Sequence, residues 1–406
     1  MPISNPDPKE VDAHFACIDL FSGCGGNSWG MLKGGVTHPL TPLLALDIDE
    51  RALETYRYNM PGVDTWQVDI RQVKPADILR RIGLSKGELG CIVASPPCQS
   101  YSRVSRLTQD VDDYRNTLYA SVIKIVRAVR PHTVFIENVP EMQTCHGGTF
   151  HHDFLERLRS LGYRVQFWIV NAADYGVPQH RYRLIYLAYC KKMRLIPRCP
   201  ARSHGPEPHL KPWVTVADAI KDLPPRAQGQ DEDSFVTRKE GPRRGDAYCC
   251  ARHSSEGSTV FNHAARKLND IQLRRIQCLK EGQAFDDLPD DLRPTKGYKA
   301  SYGRMVGSRP AHTLTTYLAY PSTGRFSHYK QDRVITIREG LRLQSFDDHF
   351  RVLGNLAEQS TQVGNAVPPL LAAAFKDIIV KDLENAFGSM AKRITESEAE
   401  PTHSFC

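Results

Sequence analysis

The residues of this chain best suited to chemistry are one cysteine, one glutamate and a pair of arginines, each beside residues that restrain the backbone. Cys98 follows two prolines in Ser95-Pro96-Pro97-Cys98-Gln99. Proline locks its own φ, so two in succession hold the following thiol at a set angle. A free thiol titrates near about pH 8.5, so a nucleophilic one needs positive charge or a proton acceptor close by. Both are available further along, as Glu137 in Glu137-Asn138-Val139-Pro140 and as Arg181 and Arg183 in Gln179-His180-Arg181-Tyr182-Arg183. A buried carboxyl group at a strand end can exchange a proton with a heterocycle nitrogen. Arginines two apart in an extended segment point to one face, and a guanidinium facing Cys98 and Glu137 would stabilise both anions. Each piece also has a plainer reading: a buried structural thiol, a helix cap, a basic strand rim.

A second group of residues has the character of a binding site. Ser22-Gly23-Cys24-Gly25-Gly26 is a glycine-rich turn after an apolar run, where backbone N–H groups can come close to a ligand. Alone it is as readily just a turn. Asp47 lies about 20 residues on at the end of the next apolar run, where a carboxylate can bond both hydroxyls of a ribose. Asp69, after a third short strand, is within reach of an adenine amino group. The dinucleotide spacing G-x-G-x-x-G is absent, which favours a nucleoside without a pyrophosphate, such as S-adenosylmethionine, over NAD.

The elements that must position these groups alternate. Residues 15–21, 43–47, 89–95, 133–136 and 163–170 have the short apolar character of strands, and the arginine pair leads another. Helical patterning falls at 50–58, 118–129 and 153–161. Strand and helix in alternation predict an α/β fold: a doubly wound, mainly parallel sheet whose carboxyl edge collects the ligand-binding loops. After about residue 190 the texture changes. Residues 225–260 have no clear period and read as loop-rich, order returns over 263–280, and helices are predicted within 331–346 and over 368–386. The tail from about 391 is polar and reads as loose.

Composition narrows the class. The 406 residues are 41% hydrophobic, enough for a large core in about two domains. No run reads as the ~20 apolar residues of a membrane span, and the first residues lack a signal-peptide pattern, so a soluble internal protein is expected. The 11 cysteines are an odd count without paired spacing, and Cys249-Cys250 with His253 and His263 does not match a zinc pattern, so reduced thiols and no metal are expected. The net charge is +7, and residues 188–300 carry 21 Lys/Arg against 15 Asp/Glu, so a basic lobe faces either a polyanion or merely solvent.

Taken in order, the glycine-rich turn, Pro96-Pro97-Cys98-Gln99, Glu137-Asn138-Val139, the Gln179–Arg183 run, a basic stretch, Arg338-Glu339-Gly340-Leu341 and Gly364-Asn365-Ala366-Val367-Pro368-Pro369 resemble the DNA cytosine-5 methyltransferase family. The resemblance covers roughly residues 15–186 and 300–375. It implies the class I S-adenosylmethionine-dependent methyltransferase fold, Rossmann-like, with a smaller, loop-rich target-recognition domain. It divides the chain into a catalytic part at 12–212, a recognition domain at 213–345, a closing catalytic segment at 346–388 and a tail at 389–406.

By that resemblance Cys98 is the nucleophile, Glu137 holds the cytosine N3 and N4 edge, and Arg183 lies near the base O2 with Arg181 beside it. Phe21, Gly23, Gly25, Asp47, Asp69, Leu118, Asn365 and Val367 match positions around S-adenosyl-L-methionine, with Ile48, Ile70 and Pro97 in the same set. Ile48 stands where many relatives place a tryptophan against the adenine. Gln99, Ser102 and Thr313 match DNA contacts. The implied partner is double-stranded DNA, with no membrane, a monomeric state and a cognate restriction endonuclease acting on the same site. The implied setting is the bacterial cytoplasm, or the nucleus in a eukaryote. A tRNA cytosine-5 methyltransferase and a catalytically silent DNA-binding regulator are the alternatives. Because Asn365 lies far along the chain, the last helix must return beside the first strand.

Overall fold

The computed structural model describes residues 11–32, 38–97, 116–237 and 257–388. Seven strands form the main sheet: β1 (Ala16–Leu20), β2 (Thr41–Asp47), β3 (Asp64–Gln67), β4 (Cys91–Ala94), β5 (Thr133–Asn138), β6 (Tyr163–Asn171) and β7 (Tyr182–Cys190). Their order is β3-β2-β1-β4-β5-β7-β6. Neighbours pair in parallel from β3 through β5, while β7 runs antiparallel to both β5 and β6. The expected α/β, doubly wound, mainly parallel sheet is therefore present. The chain winds outward from β1 through β2 to β3, then returns to place β4 on the other side of β1. That reversal opens a crevice at the carboxyl ends of β1 and β4, where open α/β sheets bind ligands.

β1, β4 and β5 are buried along their whole length, which explains why they read as mainly apolar runs rather than alternating ones, with Asp19 the one charged residue inside β1. Helices cover both faces. Ile18, Ile92 and Val134 pack with α4 (Asn116–Val129) and α5 (Thr149–Ser160) on one side. Cys17, Val93 and Phe135 pack with Leu371, Phe375 and Ile379 of the last helix on the other. The helices begin where capping chemistry is local. Asp49 accepts from the amides of Arg51 and Ala52 to start α2 (Glu50–Asn59), and Pro75 opens α3 (Pro75–Ile82).

The last helix does return to the first strand. Its residues Pro369 and Ala372 meet α1 (Gly26–Leu32) so closely that a Cβ on Gly30 would lie 2.3 Å from the Pro369 carbonyl oxygen. Only glycine permits that approach. This helix, the tenth among the described residues (α10, Pro369–Phe387), follows α6 (Val216–Ile220), α7 (Asp270–Gln277), α8 (Ile337–Leu343) and α9 (Leu356–Asn365). The stretch Leu356–Phe387 is long and apolar enough by composition to cross a membrane, contrary to the reading of the sequence, yet 72% of its most apolar window is buried within the fold.

Two predicted segments are more closely defined in the structure. The helix expected within 331–346 is Ile337–Leu343, shorter than the patterned stretch because Thr336 and Glu339 form a capping box that starts it there. In the loop-rich stretch, β8 (Phe235–Val236) and β9 (Thr259–Val260) pair as a short antiparallel ribbon. Residues from 213 onward share a core with the main sheet's flank: Val214, Val216, Leu314 and Leu341 cluster with Trp29, Tyr56 and Met60.

Candidate active site

Parallel strands all deliver their carboxyl ends to one edge, and an antiparallel neighbour delivers its amino end there. β5 therefore ends in Glu137 and Asn138 beside the start of β7, with Asn138 opposite Leu184 and Glu137 opposite Ile185. Arg183 thus reaches Glu137 across the pair. Its Nε lies 2.6 Å from Glu137 Oε1, and both side chains are buried. Arg183 Nη1 also donates to its neighbour Tyr182's carbonyl at 2.7 Å. Charge-assisted contact in a place with little water holds the carboxylate in one orientation before any substrate arrives.

Asn138 was not singled out in the sequence as a separate group, and its side chain has a clear task. Its Nδ2 donates to the Pro96 carbonyl at 2.9 Å and to the Tyr119 hydroxyl, and its Oδ1 accepts from the Val139 amide at 2.8 Å. The end of β5 is thereby fastened to the exit of β4, two residues before Cys98. The signal available in sequence was an amide at the end of a run that must be buried, where such a group needs partners. Cys98, Gln99 and Ser102 themselves lie outside the described residues.

The glycine-rich turn closes the neighbouring crevice. Phe21, Gly23 and Gly25 have φ of 59°, 52° and 98°, so the chain is left-handed at alternate positions. Gly25 is needed for space as well, since a Cβ there would lie 2.3 Å from Met60 Cε. Asp47 ties this turn to β2: its Oδ2 accepts from the Gly23 amide at 2.7 Å and its Oδ1 from the Asp49 amide at 2.9 Å. Burial pushes its pKa up, and the Asp49, Gly23 and Ile48 amides oppose that. Asp69 caps the turn at Ile70 and pairs with Arg71, whose hydrogen bonds hold its carboxyl below the usual range. Ile70 and Leu118 are buried, while Ile48 is 66% exposed and Pro97 is exposed.

From the far end of the chain, Asn365 ends α9 with its side chain exposed, and Val367 packs against the turn. A Cβ on Gly26 would lie 2.4 Å from the Val367 carbonyl oxygen. Two buried polar atoms of the turn and the helix after it, Ser22 Oγ and Asn27 Oδ1, have no hydrogen-bond partner among the described residues. Buried polar atoms are nearly always paired, so their clustering at the turn fits a small polar ligand.

Arg181 has other partners than Glu137. Its guanidinium donates to the carbonyls of Leu314 at 3.0 Å, Gly364 at 2.9 Å and Ala366 at 3.3 Å. Thr313 is exposed and its hydroxyl donates to the His180 carbonyl at 2.8 Å. No group of three or more His, Cys, Asp or Glu side chains placed to hold a metal ion occurs among the described residues.

Sheet order and crevice together define a class I methyltransferase fold. The family model for C-5 cytosine-specific DNA methylase matches residues 15–381. The type II methyltransferase M1.HphI of Haemophilus parahaemolyticus is 31% identical over 370 residues, covering 90% of this chain and 86% of that protein. M.XorII, a type II methyltransferase of Xanthomonas oryzae pv. oryzae, is 32% identical over 378 residues, covering 90% and 84%. Among solved structures, a prophage-encoded E. coli protein assigned as a DNA modification methyltransferase superposes with a TM-score of 0.71 at 24% identity, covering 92% of this chain and 99% of that one. The chain belongs to the C-5 cytosine-specific DNA methylase family and is a DNA cytosine-5 methyltransferase.

Proposed function

We propose that the enzyme methylates C5 of a cytosine swung out of duplex DNA at a particular sequence, through a covalent bond between Cys98 and C6, using S-adenosyl-L-methionine. The observation that carries this reading is the buried Glu137–Arg183 pair, set at the sheet edge where Asn138 grips the loop leading to Cys98.

Cytosine C5 is a weak nucleophile. As the base enters, the Cys98 thiol gives up its proton, which the Glu137 carboxylate takes up and passes to N3, while the thiolate adds to C6; this breaks aromaticity and places electron density on C5. Arg183 orients Glu137 and lies where it can face the base O2. S-adenosylmethionine, when bound, supplies an electrophilic methyl group. Once C5 is methylated, a base removes the C5 proton, the C5–C6 double bond re-forms as the S–C6 bond breaks, and the N3 proton returns through Glu137 to the departing Cys98 sulfur, so the enzyme is regenerated. Extruding the base costs a few kcal/mol, which contacts to the flanking DNA must repay.

The donor fits the crevice. Asp47 and Asp69 offer acceptors, and the unpartnered Ser22 hydroxyl and Asn27 amide oxygen offer further polar atoms. Asn365 and Val367 wall it from the other side, with Phe21, Gly23, Gly25, Ile48, Ile70, Pro97 and Leu118 completing the set. On the DNA side we assign Gln99, Ser102 and Thr313, with the basic region within 213–345 as target-recognition domain. Residues 12–212 and 346–388 form the catalytic domain. The type II relatives support a role in a restriction–modification system, guarding host DNA against a partner endonuclease.

The test is transfer of tritium from methyl-labelled S-adenosylmethionine into DNA by the full chain. Label should enter mixed-sequence duplex DNA, stop with Cys98→Ala and be trapped as a covalent adduct by 5-fluorocytosine DNA. Label entering tRNA instead of DNA, or transfer undiminished by Cys98→Ala, overturns the reading.

A further inference from the structure

The geometry points to Arg181 as a positioning residue that ties the DNA side of the site to its cofactor side, not as a group that touches the base. This rests on the assignments of Thr313 and Asn365 made above. One guanidinium holds three backbone carbonyls from two distant segments: Leu314, the neighbour of Thr313, and Gly364 and Ala366, which bracket Asn365. Arg181 is itself only 3% exposed.

The surrounding contacts make the tie rigid. Gln179 is fully buried, and its Oε1 accepts from the Leu314 amide at 2.8 Å while its Nε2 donates to the Leu343 carbonyl and the Gln344 side chain. Gln344 Nε2 in turn donates to the Val363 carbonyl at 2.7 Å. Ser360 of α9 donates to the Thr316 carbonyl at 2.8 Å, and a Cβ on Gly364 would fall 2.4 Å from the backbone of Thr315. Residues 313–316 and 363–366 therefore lie backbone against backbone, riveted by Gln179 and Arg181. Carbonyl oxygens at a helix end lack intrahelical partners, which is why a fixed planar fork of donors suits this place. Arg183, two residues on, turns instead to Glu137. Two arginines of one run thus divide the work: one faces the reacting base, the other sets the distance between the two ligands.

A segment shared by two binding sites makes each ligand sense the other, and such coupling is reciprocal. The experiment measures binding of S-adenosylhomocysteine to the full chain with and without a duplex carrying its target sequence, and of the duplex with and without S-adenosylhomocysteine, for the wild type, Arg181→Lys and Gln179→Met. The ammonium of Lys keeps the charge but cannot span three carbonyls. The wild type should show mutual tightening of about fivefold or more, a typical coupling. In both variants that factor should fall close to one, and the KM for DNA and for S-adenosylmethionine should each rise about tenfold. Thermal melts identify any variant that does not fold, and Gln179→Met tests the same tie from its other side. Coupling kept at the wild-type value in a folded variant overturns the inference, as does loss of kcat with both KM values unchanged. A wild type that binds neither ligand refutes the proposed function instead.

Discussion

Replacing Glu137 by Gln keeps the side chain's shape and removes its charge, leaving the Arg183 guanidinium without a counter-ion in a place where it is 9% exposed. At roughly 4 Å between charge centres and an effective dielectric constant of about 20, the lost attraction is about 4 kcal/mol. The amide oxygen still accepts a hydrogen bond from Arg183 Nε, so the net cost lies at the lower end of the range for a broken buried pair, about 3 kcal/mol. Arg183→Met should cost a similar amount, because it strands the carboxylate. The double variant removes both charges together and should be no less stable than either single one. Urea unfolding followed by fluorescence and circular dichroism closes the cycle, with an expected coupling of about 3 kcal/mol or more, well above the ~0.5 kcal/mol scatter of independent sites. Effects of the two substitutions that simply add would refute the claim that this pair is a preorganised unit. Methyl transfer by Glu137→Gln should fall by about 10²–10⁴, the usual worth of a positioned proton donor.

Other outcomes follow from single observations. Gly30→Ala should destabilise the fold by about 1–3 kcal/mol, read as a lower urea midpoint, because its Cβ would meet the Pro369 carbonyl and Ala372. Gly23→Ala meets no atom within 4 Å and should cost only the left-handed backbone, roughly 1–2 kcal/mol. Asp19 is raised to about 7, chiefly by burial. Its folded state holds a proton that the unfolded chain releases near pH 4, so its contribution to stability declines as pH rises from about 4 to about 7, by at most about 1.4 kcal/mol per pH unit. Asp19→Asn should erase that decline, and a pH slope equal to that of the wild type over this window would count against it. Binding to duplex DNA should weaken steeply with salt, with a log–log slope of about −0.9 for each neutralised phosphate. A flat dependence would remove the basic region from the interface.

Local signals in the chain were enough for the frame of the fold. Unbroken apolar runs such as 133–136 specify buried parallel strands, because such strands need no polar face. Glycines at 23 and 25 foretell left-handed backbone, since few other residues tolerate it. Thr336 and Glu339 contain the capping box that starts α8 where it does, a local signal that the periodicity of 331–346 obscured. The glutamate at 137 and the arginine at 183, each beside a strand signal, foretell two groups that meet at one sheet edge.

What no local pattern could settle is which partner each side chain meets. Arg181 and Arg183 look equivalent in sequence, yet one clasps carbonyls at 314, 364 and 366 while the other pairs with Glu137. That division depends on the antiparallel insertion of β7 between β5 and β6, and on α9 arriving from nearly 200 residues away. Likewise, Asn138's hold on Pro96 exists only because β4 and β5 lie side by side. Strand pairing and helix return are set by burying apolar surface over the whole molecule, and that sum has no counterpart in any short stretch of residues.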